Sequence, residues 1–111
     1  MRDIINIMII TTTETIPGKE ITVIHGIARG SSVRARNIAF DITSSIKNLI
    51  GGEISEYTKL QADSREQAMK RMITDAESMG ADAVVNIRFE SATVAQATSE
   101  IHVYGTAVTL Q

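Results

Sequence analysis

Hydrophobic and polar positions along the chain change their period twice, and these changes separate strand-like segments from helix-like ones. β-Branched residues dominate residues 7–13 and 21–30, which predicts two strands near the start. Pro17 and Gly18 lie between these strands and predict a tight turn. Gly26 interrupts the second strand, which indicates a bulge or the close approach of another backbone.

The apolar spacing then becomes helical, and two helices are predicted in the middle of the chain. The first begins at a cap formed by Ser31 or Ser32 and ends before Gly51. Its apolar positions are Ile38, Ile42, Ile46, Leu49 and Ile50. The second begins near a cap at Ser55 and ends before Gly80. Its apolar stripe consists of Leu60, Met69, Met72, Ile73, Ala76 and Met79.

The segment from residue 81 onward alternates between apolar and polar residues, as strands do. Ala83, Val85, Ile87 and Phe89 are predicted on one face of a strand over residues 81–90, and Asn86, Arg88 and Glu90 on the other. Residues 101–110 alternate again, and the small residues of segment 91–100 connect the two runs. Two such strands joined by a short connection predict an antiparallel hairpin.

The order of strands, helices and strands predicts an α+β fold of two layers, an antiparallel sheet with two helices on one face. The final strand is apolar on both faces, because Tyr104, Val108 and Leu110 share one face while Val103 and Ala107 share the other. Two helices cover only one face of a sheet. The second face needs another partner, and self-association is the natural inference.

Composition and charge remove several classes of function. The 111 residues suffice for one domain, and a formal net charge of −2 leaves no footprint for nucleic acid or an anionic membrane. The absence of cysteine excludes disulfides, thiolate nucleophiles and cysteine-rich metal sites, and it fits a reducing cytoplasm. The apolar run at the start is too short to span a membrane and no cleavage site follows it.

The glycine pair in LIGGEISEY, residues 49–57, is the segment that most resembles a ligand loop. A phosphate-binding loop usually follows a strand and precedes a helix, with Lys or Ser/Thr at fixed offsets. Gly51 and Gly52 instead follow a predicted helix, and Glu53 places negative charge where a phosphate would bind. A turn between two helices is favoured, and a ligand role is the minor alternative.

The two histidines are weak candidates for metal ligands. His25 and His102 lie on strands far apart in sequence and match no metal-binding motif. Together with Glu53, Glu90 or Glu100 they have the donor types for a divalent cation, although packed or surface histidines are more common. No GxSxG motif marks a nucleophilic serine, and no catalytic residue and no cofactor is assigned.

Several short motifs resemble, in their order and spacing, those of the YbjQ-like family, and they cover almost the whole chain. They are MIITTT from Met8, IPGKEI, IGG, GADAVV and YGTAV, together with Asn37, Asp41 and Tyr57. The family consists of small bacterial and archaeal proteins of unestablished function, some of which carry a heavy-metal-binding label. One departure is Phe40, where the family commonly has an arginine.

The resemblance implies a dodecin-like α+β subunit that assembles into a ring-shaped homopentamer. It also implies that Met8 is the usual first residue of the family, so that residues 1–7 form an N-terminal extension and residues 8–111 a single domain.

Three functions follow from these observations, in order of preference. The first is a cytoplasmic homo-oligomeric assembly or small-ligand-binding protein, with Asn37, Asp41, Gly51, Gly52 and Tyr57 as candidate ligand-binding residues. Each of these five residues is also explained by a helix–helix connection or an interface hydrogen bond. The second is a divalent or heavy-metal-binding protein that uses His25 or His102. The third is an enzyme of unknown reaction.

Overall fold

The computed structural model describes residues 7–35, 52–95 and 98–111. In chain order the elements are β1 (Ile9–Ile10), β2 (Ile21–Ala35), α1 (Gly52–Ser78), β3 (Ala83–Ala95) and β4 (Thr98–Leu110). The four strands form one sheet in the order β1-β3-β4-β2, and α1 packs across β2 and β4. This confirms an α+β fold. No helix within these ranges is long and apolar enough to cross a membrane.

The sheet is mixed, which corrects the prediction of an antiparallel sheet. The two-residue β1 runs parallel to the start of β3, whereas the other pairs of neighbours are antiparallel. A parallel pair needs a long crossover, and the chain between β1 and β3 provides one. The strand predicted over residues 7–13 is also shorter than expected, although Thr11 continues the pairing by donating its N–H to Val84 O at 3.0 Å.

β2 is longer than predicted and includes both residues that were expected to cap a helix. The turn before it is confirmed, since Lys19 N–H donates to Ile16 O at 3.1 Å and Gly18 has a φ of 79°. Ser31 and Ser32 both lie within β2 and pair with β4, so the prediction of a helix cap at either serine is wrong. The pairing partner that extends β2 is distant in sequence, and the local spacing of apolar residues does not reveal it.

α1 is the single helix within the described residues, where two helices were predicted. The body of the predicted first helix, residues 36–50, lies outside the described residues. α1 begins at Gly52, so the predicted cap at Ser55 is wrong and this serine lies inside the helix. The sequence has acidic residues at positions 53 and 56, and negative charge in the first turns of a helix favours its start.

The C-terminal end of α1 confirms the predicted glycine stop. Gly80 has a φ of 82°, which is the left-handed conformation of a residue that terminates a helix. Its N–H donates to Glu77 O at 3.0 Å, and Ala81 N–H donates to Ala76 O at 3.2 Å. These are the two hydrogen bonds of a Schellman motif, and they satisfy carbonyls that the last helical turn leaves free.

The predicted hairpin between the last two strands is confirmed, and it is longer than expected. β3 and β4 pair antiparallel along almost their whole length. The small-residue segment 91–100, predicted as a connection, belongs mainly to the strands themselves. Its threonine and valine residues suit a strand, and cross-strand pairing overrides the weak local signal.

The core lies between α1 and the sheet, and Gly30 lets the two layers come close. A Cβ at Gly30 would overlap the backbone of α1 at Ala68 and Met72. The buried apolar residues of this layer are Ala28, Ala68, Met72, Ala76, Val84, Ile87, Ile101, Val103 and Ala107. A smaller cluster, Ala83, Val85 and Val108, lies on the other face of the sheet and packs against Ile9, Ile16, Ile21 and Leu110.

Candidate functional site

The sheet face that points away from α1 brings together polar side chains that are far apart in the sequence. We call it the open face. Residues that are opposite each other in the register share a face, so three strands contribute to the same rows of side chains. These rows are Glu90–His102–Ser31, Arg88–Tyr104–Arg29 and Val85–Thr106–Ile27.

A bulge in β3 places Arg88 and Glu90 on the open face. Asn86 has a φ of 59°, and the register with β4 shifts by one residue between Val85 and Arg88. Because of this shift, Val85 and Arg88 face the same side while Ile87 packs in the core beneath α1. The predicted grouping of Val85 with Ile87 on one face is therefore wrong.

Hydrogen bonds from the N-terminal segment hold the bulge in place. Asn86 N–H donates to Thr13 O at 2.9 Å, and Ile87 N–H donates to Thr11 O at 3.1 Å. Arg88 Nη1 donates to Ile87 O at 2.9 Å and lies 3.4 Å from Thr12 O. The backbone carbonyls of residues 11–13 thus accept hydrogen bonds from the bulge.

Large apolar side chains remain exposed on the open face. The exposed fractions are 59% for Ile27, 70% for Ile24, 59% for Val33 and 37% for Tyr104. The alternation of β4 is confirmed, because Val103 and Ala107 are buried beneath α1 while Tyr104 lies on the other side. Within the described residues, only the end of the face near Val108 is covered, by the N-terminal segment.

A broad depression of about 740 Å³ lies on this face. Ile27, Arg29 and Ser31 border it along β2, Tyr104 and His102 along β4, and Glu90 along β3. Arg71 reaches it from α1 around the edge of β2. Cationic, aromatic and aliphatic groups thus converge on one concave surface, which is the usual composition of a small-molecule site.

Side chains of α1 bind the outer edge of β2 at this depression. Asp75 Oδ2 accepts a hydrogen bond from the backbone N–H of Arg29 at 3.0 Å. Arg71 Nη1 donates to the backbone carbonyl of Ser31 at 2.8 Å. Because β2 is the edge strand of the sheet formed by the described residues, these bonds satisfy backbone groups that could otherwise pair with another strand.

The candidate ligand residues from the sequence fall largely outside the described structure. Asn37, Asp41 and Gly51 lie outside the described residues. Gly52 is the first residue of α1 rather than part of a turn after a helix. Tyr57 lies in the second turn of α1, and its side chain is outside the described part of the chain. Their role as ligand residues stays a prediction.

The structure separates the two histidines within one chain. His25 Nε2 lies 2.7 Å from Thr109 Oγ1, and His102 Nε2 lies 3.0 Å from Glu100 Oε2. Thr109 and His102 are seven residues apart on β4, roughly 23 Å along an extended strand. In the part of the chain that the structure describes, no three His, Cys, Asp or Glu side chains are placed to share a metal ion.

Comparison with known proteins identifies the family. A sequence model of the YbjQ family, described as "Putative heavy-metal-binding", matches residues 8–111. The chain belongs to the YbjQ family.

YbjQ relatives occur in archaea and bacteria. A UPF0145 protein of Halobacterium salinarum is 58% identical over 99 residues, covering 89% of this chain and 95% of that protein. The UPF0145 protein of Methanosarcina acetivorans is 52% identical over 101 residues, covering 91% and 95%. That of Clostridium perfringens is 48% identical over 101 residues, with the same coverage of 91% and 95%.

A solved structure supports the YbjQ fold. It is the crystal structure of a protein of unknown function from Pediococcus pentosaceus, assigned to the DUF74 family. The TM-score is 0.60 and the sequence identity 14%, with 94% of this chain and 98% of that chain covered. At this identity, the likeness shows the fold alone.

Sequence reasoning missed the arginines and Tyr104 as site residues. Arg29 and Arg88 are far apart in sequence, and each looks like an ordinary solvated residue of a strand. Only the register of β2, β3 and β4 places them on either side of Tyr104. The available signal was the alternation of β4, which put Tyr104 on the opposite face from Val103 and Ala107 without deciding which face the helical layer covers.

Proposed function

We propose that this YbjQ protein is a homo-oligomeric small-ligand-binding protein whose open face contacts a neighbouring copy. The observation that supports this most directly is the exposure of Ile24, Ile27, Val33 and Tyr104 on one side of the sheet. Ile24, Ile27 and Tyr104 lie in neighbouring rows of the register, and an exposed apolar patch of this kind is typical of protein–protein contacts. Tyrosine and isoleucine exposed beside arginines also match the composition of interface cores.

A second copy of the chain is the occupant that suits the charges of this face. Arg29 and Arg88 lie on it together with Glu90 and Glu100, so the face carries both signs of charge in similar number. A face with both signs of charge suits a different, similarly mixed surface of a neighbouring copy, as the contacts of a ring require, whereas a nucleic acid or acidic partner requires an excess of cations. The formal net charge of −2 also argues against a nucleic acid or acidic partner.

The family resemblance supports a ring of five subunits as the form of this assembly, with a dodecin-like subunit. In such a ring the small ligand lies at subunit contacts, and Asn37, Asp41, Gly51, Gly52 and Tyr57 are the family-motif positions proposed to approach it. The cysteine-free composition supports a cytoplasmic location for the assembly.

Heavy-metal binding, which the family description suggests, is the less supported function. Heavy metals prefer thiolate and other soft ligands, and the sequence contains no cysteine. His102 has one carboxylate neighbour, Glu100, and the described residues provide no third ligand of the His, Cys, Asp or Glu type. The donor groups of the described residues do not fit such a site.

Two matched variants test the proposed contact by light scattering and sedimentation. Ile27→Glu places a charge among the exposed apolar residues of the open face, and Thr74→Glu places the same charge on the exposed side of α1. We expect Ile27→Glu to raise the dissociation concentration of the oligomer by roughly 100-fold or more, because it replaces apolar contact area with a charged group that must lose its hydration. Thr74→Glu should assemble like the wild type. An Ile27→Glu protein that keeps the wild-type mass and affinity would contradict the proposal.

A further inference from the structure

We propose that the depression on the open face binds a small organic anion, a carboxylate or phosphate carried on an aromatic or branched apolar body. This inference rests on the proposed function, because it names the class of ligand that the homo-oligomer holds. Three features of the depression carry it: two guanidinium groups that have no carboxylate partner among the described residues, an apolar floor, and an acidic group at the opposite end.

The cationic end of the depression lies along β2. Within the described residues, the guanidinium of Arg29 makes no hydrogen bond or ion pair. Arg71 uses Nη1 for the carbonyl of Ser31 at 2.8 Å, which leaves its other N–H donors free. A guanidinium presents paired donors that match a carboxylate or a phosphate, so these two residues form a receptor for one anionic group.

The nearby carboxylates are engaged elsewhere and do not neutralise this end. Asp75 accepts from the backbone N–H of Arg29 at 3.0 Å rather than from its guanidinium. Glu100 lies 3.0 Å from His102 Nε2. Among the described residues neither Arg29 nor Arg71 has a carboxylate oxygen within ion-pair distance, and the positive charge at the β2 edge is available to a ligand.

The floor of the depression is apolar and aromatic. Tyr104 lies opposite Arg29 in the register, and Ile27 follows along β2 on the same side. Both side chains are substantially exposed in the subunit, so they offer contact area to an apolar body. A planar ring on Tyr104 adds stacking to the burial of apolar surface. An anion with an apolar body is therefore held better than a bare anion.

Glu90 fixes the orientation of the ligand. It borders the depression on β3 and pairs in register with His102, on the side away from Arg29. A carboxylate at this position repels an anionic group, and the ligand must direct its charge toward β2. Its removal should strengthen anion binding, a gain that a misfolded variant does not produce.

The experiment is isothermal titration of the assembled protein with benzoate, phenyl phosphate, inorganic phosphate and neutral benzamide. The variants are Arg29→Gln, Glu90→Gln and, as matched control, Arg65→Gln on the exposed side of α1. We expect benzoate or phenyl phosphate to bind best, and the tighter of the two identifies the anionic group. Arg29→Gln should weaken this binding about tenfold or more, because charge-assisted hydrogen bonds are lost. Glu90→Gln should tighten it several-fold, and Arg65→Gln should leave it unchanged.

Several results would overturn the inference. They are equal binding of benzoate and benzamide, inorganic phosphate binding as tightly as phenyl phosphate, equal effects of Arg29→Gln and Arg65→Gln, and no binding by an assembled protein. If the assembled protein binds none of these compounds, the proposed class of ligand is wrong, while the proposed homo-oligomer is still supported. A monomeric wild-type protein instead removes the proposed function, whatever the titration shows.

Discussion

Asn86 holds a backbone conformation that few side chains adopt without strain, and the composition of the open face depends on it. Its φ of 59° lies in the left-handed region, which asparagine tolerates better than most residues. Its Oδ1 is buried and has no hydrogen-bond partner among the residues that the structure describes. The residue lies at a bulge that places Arg88 and Glu90 opposite Tyr104 and His102 in the register.

A pair of variants isolates the conformational contribution of Asn86. Both Asn86→Gly and Asn86→Ala remove the unpaired Oδ1, so their difference reports the cost of the left-handed backbone. We expect the glycine variant to be more stable than the alanine variant by about 1 kcal/mol in urea unfolding at fixed protein concentration. Equal midpoints and slopes for the two variants would show that the bulge is not strained.

α1 packs on the sheet and also binds the edge of β2. Asp75 and Arg71 lie one helical turn apart and reach the backbone of Arg29 and Ser31. Because the strand edge is part of the depression, this helix-to-edge contact couples the shape of the site to the position of α1.

Hydrogen exchange at one amide tests the contact between α1 and β2. Asp75→Ala removes the acceptor of the Arg29 N–H, and we expect exchange of that amide to accelerate about tenfold or more, as for the loss of a hydrogen bond to a charged group. Glu77→Ala, on the same helix with an exposed side chain, is the control. If the Arg29 amide exchanges equally fast in both variants, the contact does not protect the edge.

The elements that could be predicted from sequence are those whose signals are local. The tight turn at Pro17–Gly18, the glycine stop at Gly80 and the β3–β4 hairpin all follow from nearby residues, and the structure confirms them. The extension of β2 through Ser31 and Ser32 depends on pairing with β4, some seventy residues later in the chain. Local periodicity carries no information on such a partner.

The bulge at Asn86 could be predicted from the sequence only in part. An asparagine within a run of β-branched residues is a weak signal of a left-handed residue. Alternation alone assigned Val85 and Ile87 to one face, whereas the structure places them on opposite faces. The sequence therefore predicted the strand but not which residues of it reach the open face.

At the scale of the whole molecule, the alternation of β4 predicted a second apolar face that the helical layer does not cover. The structure confirms that Tyr104 and Ile27 are exposed there. It also shows cover that the sequence did not predict, since Ile16 and Ile9 pack over Val108. Self-association through the remaining surface stays a prediction.

The site itself could not be assembled from sequence, because its residues come from four elements. Arg29, Arg71, Glu90 and Tyr104 belong to β2, α1, β3 and β4 and share no motif. Only the fold brings their charges to one depression. Of the family-motif residues, Asn37, Asp41 and Gly51 lie outside the described residues, and their relation to the depression is part of the proposal.

Native mass spectrometry of protein purified without an affinity tag tests the central proposal most directly. It weighs the intact assembly and any small molecule retained in it. We predict a mass of five chains, with any excess mass matching an organic anion rather than a metal ion, and the excess should be smaller in Arg29→Gln. A mass of one chain at all concentrations would contradict the assembly through the open face.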